Sequence, residues 1–221
     1  MIKRRLIIGD YDTAVNGLWT LREWEFTAAE QEMTLLEIPG RVDGPLDAST
    51  ALTDGDPRYG SRTLTAVFES SEGSRIERES RINTMVNWLD GWRLNIVLPD
   101  DPEHYITGRV HVERLYNDPA HASVQVTAVC DPWRYSTNET VHVLTMATNA
   151  QTATFVNNGR RAVVPIVTVE GGTASLTFGA ASWALGAGVY ALPDFFLRQG
   201  EATLTYSGTG TVTISYREAV L

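Results

Sequence analysis

Apolar and polar residues alternate along much of this sequence, and this period of two restricts the possible folds more than any other feature. In residues 105–113, one side of an extended chain would be formed by Ile106, Gly108, Val110 and Val112. The opposite side would be formed by Thr107, Arg109, His111 and Glu113. Residues 62–68, 92–98 and 124–130 alternate in the same way, with apolar sides formed by Leu64, Ala66 and Phe68, by Trp92, Leu94, Ile96 and Leu98, and by Val124, Val126, Ala128 and Cys130. The pattern is typical of strands with one buried face, so we predict a mainly β fold.

One segment has the period of a helix instead. Ser74 and Glu77 have the spacing of a capping box, in which each side chain accepts a hydrogen bond from the other's backbone N–H. A single apolar stripe follows at helical spacing, formed by Ile82, Met85, Val86 and Leu89. Asp90 and Gly91 supply a stop signal. We predict one amphipathic helix that packs on a sheet.

The acidic charge is concentrated in the first part of the chain. Residues 1–135 contain 14 Lys and Arg against 22 Asp and Glu, a net charge of −8, whereas residues 136–221 contain 4 against 5. The second part consists of short candidate strands separated by glycine turns, at residues 141–146, 152–156, 162–169, 173–178, 201–206 and 211–216. Short strands at this spacing favour a β-sandwich or jelly roll. We therefore predict two domains, residues 1–135 and 136–221.

The composition excludes several classes of protein. A net charge of −9 disfavours a sequence-specific nucleic-acid reader, since phosphate binding needs concentrated Lys and Arg. A single cysteine excludes an internal disulfide framework. No apolar run reaches the roughly 18 residues of a membrane span, and the first residues lack the apolar stretch of a secretory signal. We expect the protein to be made and kept in the cytoplasm until it is assembled or exported, with no membrane contact.

No set of residues predicts catalysis, a cofactor or a metal site. The four histidines have no zinc-ligand spacing, and His111 is expected at the surface. Cys130 follows the apolar side of its strand, which favours a buried, inert thiol over a nucleophile. Residues 99–103 contain Asp100, Asp101 and Glu103, a conceivable calcium loop or glycosidase pair, but two prolines favour a turn between strands. Four aromatic residues could stack on sugars, although core packing is the commoner use, namely Trp183, Tyr190, Phe195 and Phe196.

A series of short motifs runs through the first part of the chain. The first is the proline–glycine–acidic–glycine–leucine–aspartate segment of residues 39–47, and the last is the aromatic-rich segment of residues 130–135. The motif residues, in order, are Pro39, Gly40, Asp43, Gly44, Leu46, Asp47, Tyr59, Arg62, Gly91, Tyr105, Gly108, Arg109, Cys130, Asp131 and Pro132. In this order and spacing they resemble the distal tail protein family of long-tailed, siphovirus-type bacteriophages. Val42 and Glu201 depart from the family's pattern.

The resemblance implies a fold and a role. Residues 1–135 would form a β-barrel or sandwich-like ring domain with one α-helix, and residues 136–221 a peripheral, galectin-like β-sandwich. Six copies would form a ring at the tail tip of the virion, a structural adaptor between the tail tube protein and the tip or tail-associated protein. Its open channel would pass DNA as cargo. A receptor-binding protein or a host surface glycan is a further expected partner of the second domain.

Three alternatives remain open at the level of sequence. Acidic residues of the first domain could line the channel and repel DNA phosphates, or could serve only solubility. The chain could be a carbohydrate-binding module of the tail tip that takes part in host attachment. It could also be a cell-wall hydrolase, with activity that depends on Asp100, Asp101 or His111.

Overall fold

Strands make up most of the chain, and the prediction of a mainly β fold is confirmed. The computed structural model describes residues 5–39, 43–51 and 56–221. The chain divides into two units, Met1–Pro132 and Trp133–Leu221. The separate roles of the two predicted domains stay a prediction.

The first unit contains nine strands and one helix among its described residues. They are β1 (Ile7–Ile8), β2 (Tyr11–Asp12), β3 (Thr20–Phe26), β4 (Leu35–Leu36), β5 (Leu46–Asp47), β6 (Arg62–Ser70), α1 (Arg75–Leu89), β7 (Arg93–Leu98), β8 (Asp101–Asn117) and β9 (Ala122–Ser136), whose last residues belong to the second unit. Seven of these strands lie in one sheet in the order β2-β1-β7-β8-β9-β6-β3. The eighth strand of this sheet, β18 (Ala219–Val220), pairs with the end of β9 at Arg134 and Tyr135, which belong to the second unit. The strands β4 and β5 pair only with each other.

The alternation of residue types decides which face of this sheet is buried. The predicted apolar residues of β6, β8 and β9 all face the core, and Leu64, Phe68 and Val126 are fully buried. Trp92 is the exception, because it lies just before β7 and its side chain is 62% exposed. The predicted turn at residues 99–103 is shorter than expected, since β8 already begins at Asp101.

The helix begins and ends where its capping residues predict. The Ser74 hydroxyl accepts a hydrogen bond from the Glu77 N–H, and the Glu77 carboxylate accepts one from the Ser74 N–H. Ile82, Met85 and Leu89 are buried against the sheet, whereas the fourth residue of the stripe is half-buried. This helix covers one face of the sheet and completes the core of the first unit.

Arg78 is a buried charge that the apolar stripe does not predict. Its side chain is 1% exposed and donates hydrogen bonds to the carbonyl oxygens of Gly73 (2.6 Å), Asp118 (2.9 Å) and Pro119 (2.9 Å). The last two carbonyls belong to the turn between β8 and β9, so Arg78 ties the first turn of α1 to that turn. Carbonyl oxygens are good partners for a guanidinium that has lost its water.

The second unit is a sandwich of two four-stranded sheets. Its strands are β10 (Thr140–Thr145), β11 (Gln151–Asn157), β12 (Ile166–Glu170), β13 (Ala174–Phe178), β14 (Ala181–Leu185), β15 (Gly188–Ala191), β16 (Gly200–Gly208), β17 (Thr211–Tyr216) and β18 (Ala219–Val220). The sheets have the orders β10-β17-β12-β15 and β11-β16-β13-β14. Their inner faces share one core, which includes Phe155, Val167, Leu204 and Ile214. The predicted sandwich is confirmed, although β14, β15 and β18 were not expected.

Candidate functional site: an exposed apolar arm and its base

The long connection between β3 and β6 is an arm, defined as residues 27–61 and described at 27–39, 43–51 and 56–61. Its base continues the pairing of β3 with β6. The Gly60 N–H donates to the Glu30 carbonyl, and the Glu32 N–H donates to the Arg58 carbonyl, both over 2.9 Å. The arm therefore leaves the sheet as two antiparallel segments.

The outer part of the arm is the hairpin of β4 and β5. Leu35 lies opposite Asp47 and Leu36 opposite Leu46. The Thr34 N–H donates to the Ser49 hydroxyl over 2.8 Å. An isolated two-stranded hairpin is at best marginally stable in water. This hairpin thus needs a surface to pack against.

The arm exposes large apolar side chains to solvent. The exposed fractions are 70% for Met33, 53% for Leu35, 48% for Leu36, 47% for Ile38 and 39% for Leu46. Among the described residues, neither hydrophobic core includes any residue of the arm. Contiguous exposed apolar residues on a soluble chain mark an interaction surface. The geometry of the arm is suited to protein–protein contact.

Several motif residues lie on this arm. Pro39 and Gly44 line a concavity at its tip of about 370 Å3, and Gly44 has a φ of +77°, which favours glycine. Asp43 is exposed at the tip, and Gly40 lies outside the described residues. The Asp47 carboxylate accepts a hydrogen bond from the Ser49 N–H over 2.9 Å. Hydrogen bonds from the Ser49 side chain and backbone lower the pKa of Asp47.

Two further motif residues fix the base of the arm. Arg62 is 8% exposed, its guanidinium lies 3.8 Å from the centroid of the Phe26 ring, and its Nε donates to the Thr27 carbonyl over 2.7 Å. Tyr59 pairs with Gln31 in an isolated bridge. Arg62, the first residue of β6, thus holds the end of β3 and the start of the arm against β6 by a cation–π contact and a charge-assisted hydrogen bond.

Gly108 of β8 lies directly against Cys130 of β9. A Cβ atom at Gly108 would lie 2.6 Å from the Cys130 Sγ and 3.1 Å from the Val129 carbonyl oxygen. Cys130 in turn lies opposite Arg62 in the pairing of β6 with β9. Three motif residues that are far apart in sequence therefore sit side by side in the sheet.

The remaining motif residues hold the strand ends. Gly91 has a φ of +79° and donates its N–H to the Val110 carbonyl over 2.8 Å. Arg109 donates to the Gly91 carbonyl over 2.6 Å. Asp131 forms an ion pair with Arg93. Tyr105 lies opposite Val97 in β7, and Pro132 is the last residue of the first unit.

The polar candidates for chemistry form two separate pairs, each of one histidine and one aspartate. His111 is 70% exposed in its side chain, and its Nδ1 is 2.8 Å from the Asp90 carboxylate. His104 lies 2.7 Å from Asp101, three residues earlier. The described residues contain no group of three His, Cys, Asp or Glu side chains that could hold a metal ion.

The aromatic candidates for sugar stacking mostly pack inside the sandwich. Phe195 is fully buried and contacts Trp183 and Phe178, with ring centroids 6.2 and 5.0 Å away. Tyr190 also packs against this core. Phe196 is half-buried beneath the Arg198 guanidinium, which lies 5.3 Å from the ring centroid. These rings do not form a common exposed platform.

The Cys130 thiol is expected to resist modification in the folded protein. The residue is 2% exposed, and burial raises the pKa of its thiol to about 11. Because the thiolate is the reactive form, we expect no labelling by a maleimide at pH 8 within hours. Full labelling should follow within minutes in guanidinium chloride. Rapid labelling of the native protein, followed by mass spectrometry, would contradict the buried placement.

The overall architecture is shared with a hub protein of a phage tail. That protein is SPP1 Dit (gp 19.1), whose crystal structure matches 98% of this chain and 99% of its own chain at a TM-score of 0.66 and 16% sequence identity. It is described as a paradigm of the hub adsorption apparatus in phages that infect Gram-positive bacteria. The resemblance to the distal tail family is therefore confirmed at the level of the fold.

The sequence comparisons add nothing to this likeness. No protein-family model matches the sequence, and no curated protein matches it. The described part of the chain contains no helix that is both long and apolar enough to cross a bilayer.

The sequence predicted the motif residues but not the exposed arm. Residues 33–38 are mostly apolar without a clear period, so nothing distinguishes them from a buried strand. The only signal was the long stretch before residue 62 to which no strand or helix was assigned. In the structure, the interval between β3 and β6 exceeds the usual length of a connection within a domain.

Proposed function

We propose that this chain is a structural protein of a phage tail tip, and that copies of it close into a ring. The fold shared with a phage hub protein over almost the whole chain is the observation that carries this proposal. The role requires geometry and no turnover, so no catalytic residue is assigned. The ring would join the tail tube protein to the tip or tail-associated protein.

The arm supplies a means of closing the ring. Its apolar residues pack on neither core of their own chain, so a neighbouring copy is the surface that we assign to them. A contact between an arm on one copy and a different surface on the next is heterologous, and such contacts close into rings when the rotation permits. We propose six copies, which leaves an open central channel for DNA.

The uncovered face of the first unit's sheet would suit such a channel. Thr65 and Thr127 lie opposite each other on this face of β6 and β9, as do Val67 and Gln125 in the next row. The carboxylates on this face include Glu23 and Glu25 of the edge strand β3 and Glu69 of β6, and Glu69 forms an ion pair with Arg22. A lumen built from β3, β6 and β9 would therefore carry more carboxylates than cations, so DNA phosphates would find few cations to bind. Our acidic-lumen hypothesis then depends on whether this face points inward.

The second unit would be the outward-facing module. It carries almost no net charge, and one sheet of its sandwich exposes apolar residues on the outer face, including Val143 and Val189. We propose that this unit contacts a receptor-binding protein or the host surface, while the first unit builds the ring.

Electron microscopy tests the ring directly. Negative-stain images of the concentrated protein should show rings with six-fold symmetry and a central hole, and antibody-labelled virions should show the protein at the tail tip. Light scattering should give the mass of six chains. A monomer at every concentration, together with no label at the tail tip, would refute the proposal.

A further inference from the structure

A cleft of about 470 Å3 lies at one end of the sheet β11-β16-β13-β14 in the second unit. It is lined by the ends of β13, β14 and β16 and by the loop after β10. The side chains that offer hydrogen-bonding groups are hydroxyls, from Thr148, Thr173, Ser175, Ser207 and Thr209. No lining residue is ionisable. The cleft has the volume of a small-ligand site.

Two of these hydroxyls are free to bind a ligand. Ser175 and Ser207 lie opposite each other on β13 and β16, and Ala184 of β14 lies opposite Ser175. Within the described chain, neither serine hydroxyl makes a hydrogen bond. Neighbouring strands are about 4.8 Å apart, so the cleft presents two adjacent groups that can each donate and accept.

The hydroxyl surface continues beyond the cleft. Two residues further along each strand, on the same face, a row crosses all four strands of the sheet, formed by Thr152, Thr205, Thr177 and Ser182. The Thr177 and Ser182 hydroxyls are 3.0 Å apart. The row lies about 6.6 Å from the serine pair, so cleft and row form one elongated polar surface.

The preference of strands for threonine does not explain this surface. The outer face of the other sheet in the same unit also has hydroxyls in neighbouring strands, with Thr145 opposite Thr211 and Thr168 opposite Thr213. Large apolar residues interrupt them, since Val141, Val143, Ile166 and Val189 are exposed by 51, 65, 41 and 69%. β-branched residues are common on strands, but the row beside the cleft consists of hydroxyl residues in all four strands. The difference points to a ligand.

We propose that the cleft and the hydroxyl row bind a neutral oligosaccharide, with one sugar unit in the cleft and the following units along the row. Sugar hydroxyls both donate and accept, which matches serine and threonine side chains. The C–H face of a pyranose can pack on Ala184, which lies on the same face as the serine pair. The absence of ionisable lining groups favours a neutral glycan over a charged one, because no cation is present to pair with an anionic sugar.

The affinity follows from the same geometry. The aromatic residues of this unit do not reach the cleft lining, so no ring stacking contributes. Each hydrogen bond between a sugar and a protein hydroxyl replaces hydrogen bonds to water, so its net contribution to the binding free energy is small. We therefore expect a dissociation constant of about 1 mM for a single chain. Several copies in one assembly would raise the avidity without any new contact. The oligosaccharide site does not depend on the proposed ring.

Nuclear magnetic resonance titration of the full chain tests the site. The probes are chitotetraose, maltotetraose, cellotetraose and xylotetraose, each up to about 10 mM, with tetragalacturonate as the anionic comparison. At least one neutral probe should shift the amide signals of Ser175, Ser207 and their neighbours. Failure of all four to shift these signals, or an equal response to tetragalacturonate, would overturn the proposal.

Matched variants locate the binding. Ser175→Arg fills the cleft from an exposed position and should weaken binding at least about 10-fold, and the milder Ser175→Ala/Ser207→Ala pair should weaken it about 3-fold. Val143→Arg adds the same charge to the outer face of the other sheet and should leave binding unchanged. The dispersion of the spectrum shows whether each variant is folded. Unchanged binding in both cleft variants would contradict the site, whatever the oligomeric state.

Discussion

Replacing Gly108 with alanine is expected to destabilise the first unit by about 2 to 3 kcal/mol. The added Cβ would lie 2.6 Å from the Cys130 Sγ in the middle of the sheet, with the Val129 carbonyl 3.1 Å away. Neither neighbour can move freely, because Cys130 is buried and the carbonyl belongs to the backbone of β9. Alanine restricts the unfolded chain more than glycine does, but that gain of about 0.4 to 1 kcal/mol is smaller than the clash.

A double-mutant cycle shows whether the clash is with the thiol. Cys130→Ala alone should cost about 1 kcal/mol, and Gly108→Ala with Cys130→Ala should be more stable than the sum of the two single effects predicts. Chemical denaturation followed by circular dichroism gives the free energy of unfolding. Gly60→Ala is the control in the same unit, since its Cβ would have no neighbour closer than 3.8 Å. Additive effects would contradict the contact.

Sequence patterns predicted the structure where the residues that form the pattern also form the element, within a short stretch of the chain. The capping box of Ser74 and Glu77 fixed the start of α1, and the period of two identified the buried faces of β6, β8 and β9. These patterns work because a residue's position in the repeat of a strand or helix determines which face of that element its side chain occupies. The strands β14 and β15 were missed because five and four residues are too few to show a clear alternation.

Contacts between distant segments could not be predicted. Arg78 looks like a solvated helix residue, and only the fold brings the carbonyls of Asp118 and Pro119 to its guanidinium. Trp92 fits the alternation of β7 but precedes the first paired residue. For the candidate site, the resemblance supplied the motif residues as a set, which stays a prediction, and nothing in the sequence shows that Arg62 and Cys130 are paired.

The exposure of the arm could not be predicted for a different reason: the surface that we assign to it belongs to another molecule. Sequence periodicity reports burial against the chain's own core, whereas an apolar segment that binds another molecule has the same composition as a buried one. Only the structure distinguishes the two, by leaving Leu35 and Met33 half or more exposed.

Replacing both Leu35 and Leu36 with aspartate is expected to abolish ring assembly while leaving each unit folded. Each leucine would contribute about 1.5 to 3 kcal/mol if fully buried against a neighbouring copy. Losing both, and burying two charges in their place, should raise the dissociation constant of each contact by at least about 100-fold. Neither side chain belongs to a core of its own chain, so the unfolding transition should change little.

Size-exclusion chromatography with light scattering, at protein concentrations where the parent chain forms rings, measures this effect. Val143→Asp is the matched control, because it replaces an apolar residue that is 65% exposed in the second unit. The control should still form rings, since the added charge lies outside the arm. If the arm variant assembles as the parent does, the arm is not the subunit contact, and another surface of the first unit must close the ring. If both variants lose assembly, added negative charge rather than the arm explains the effect, and replacing the two leucines with serine, which adds no charge, separates these causes.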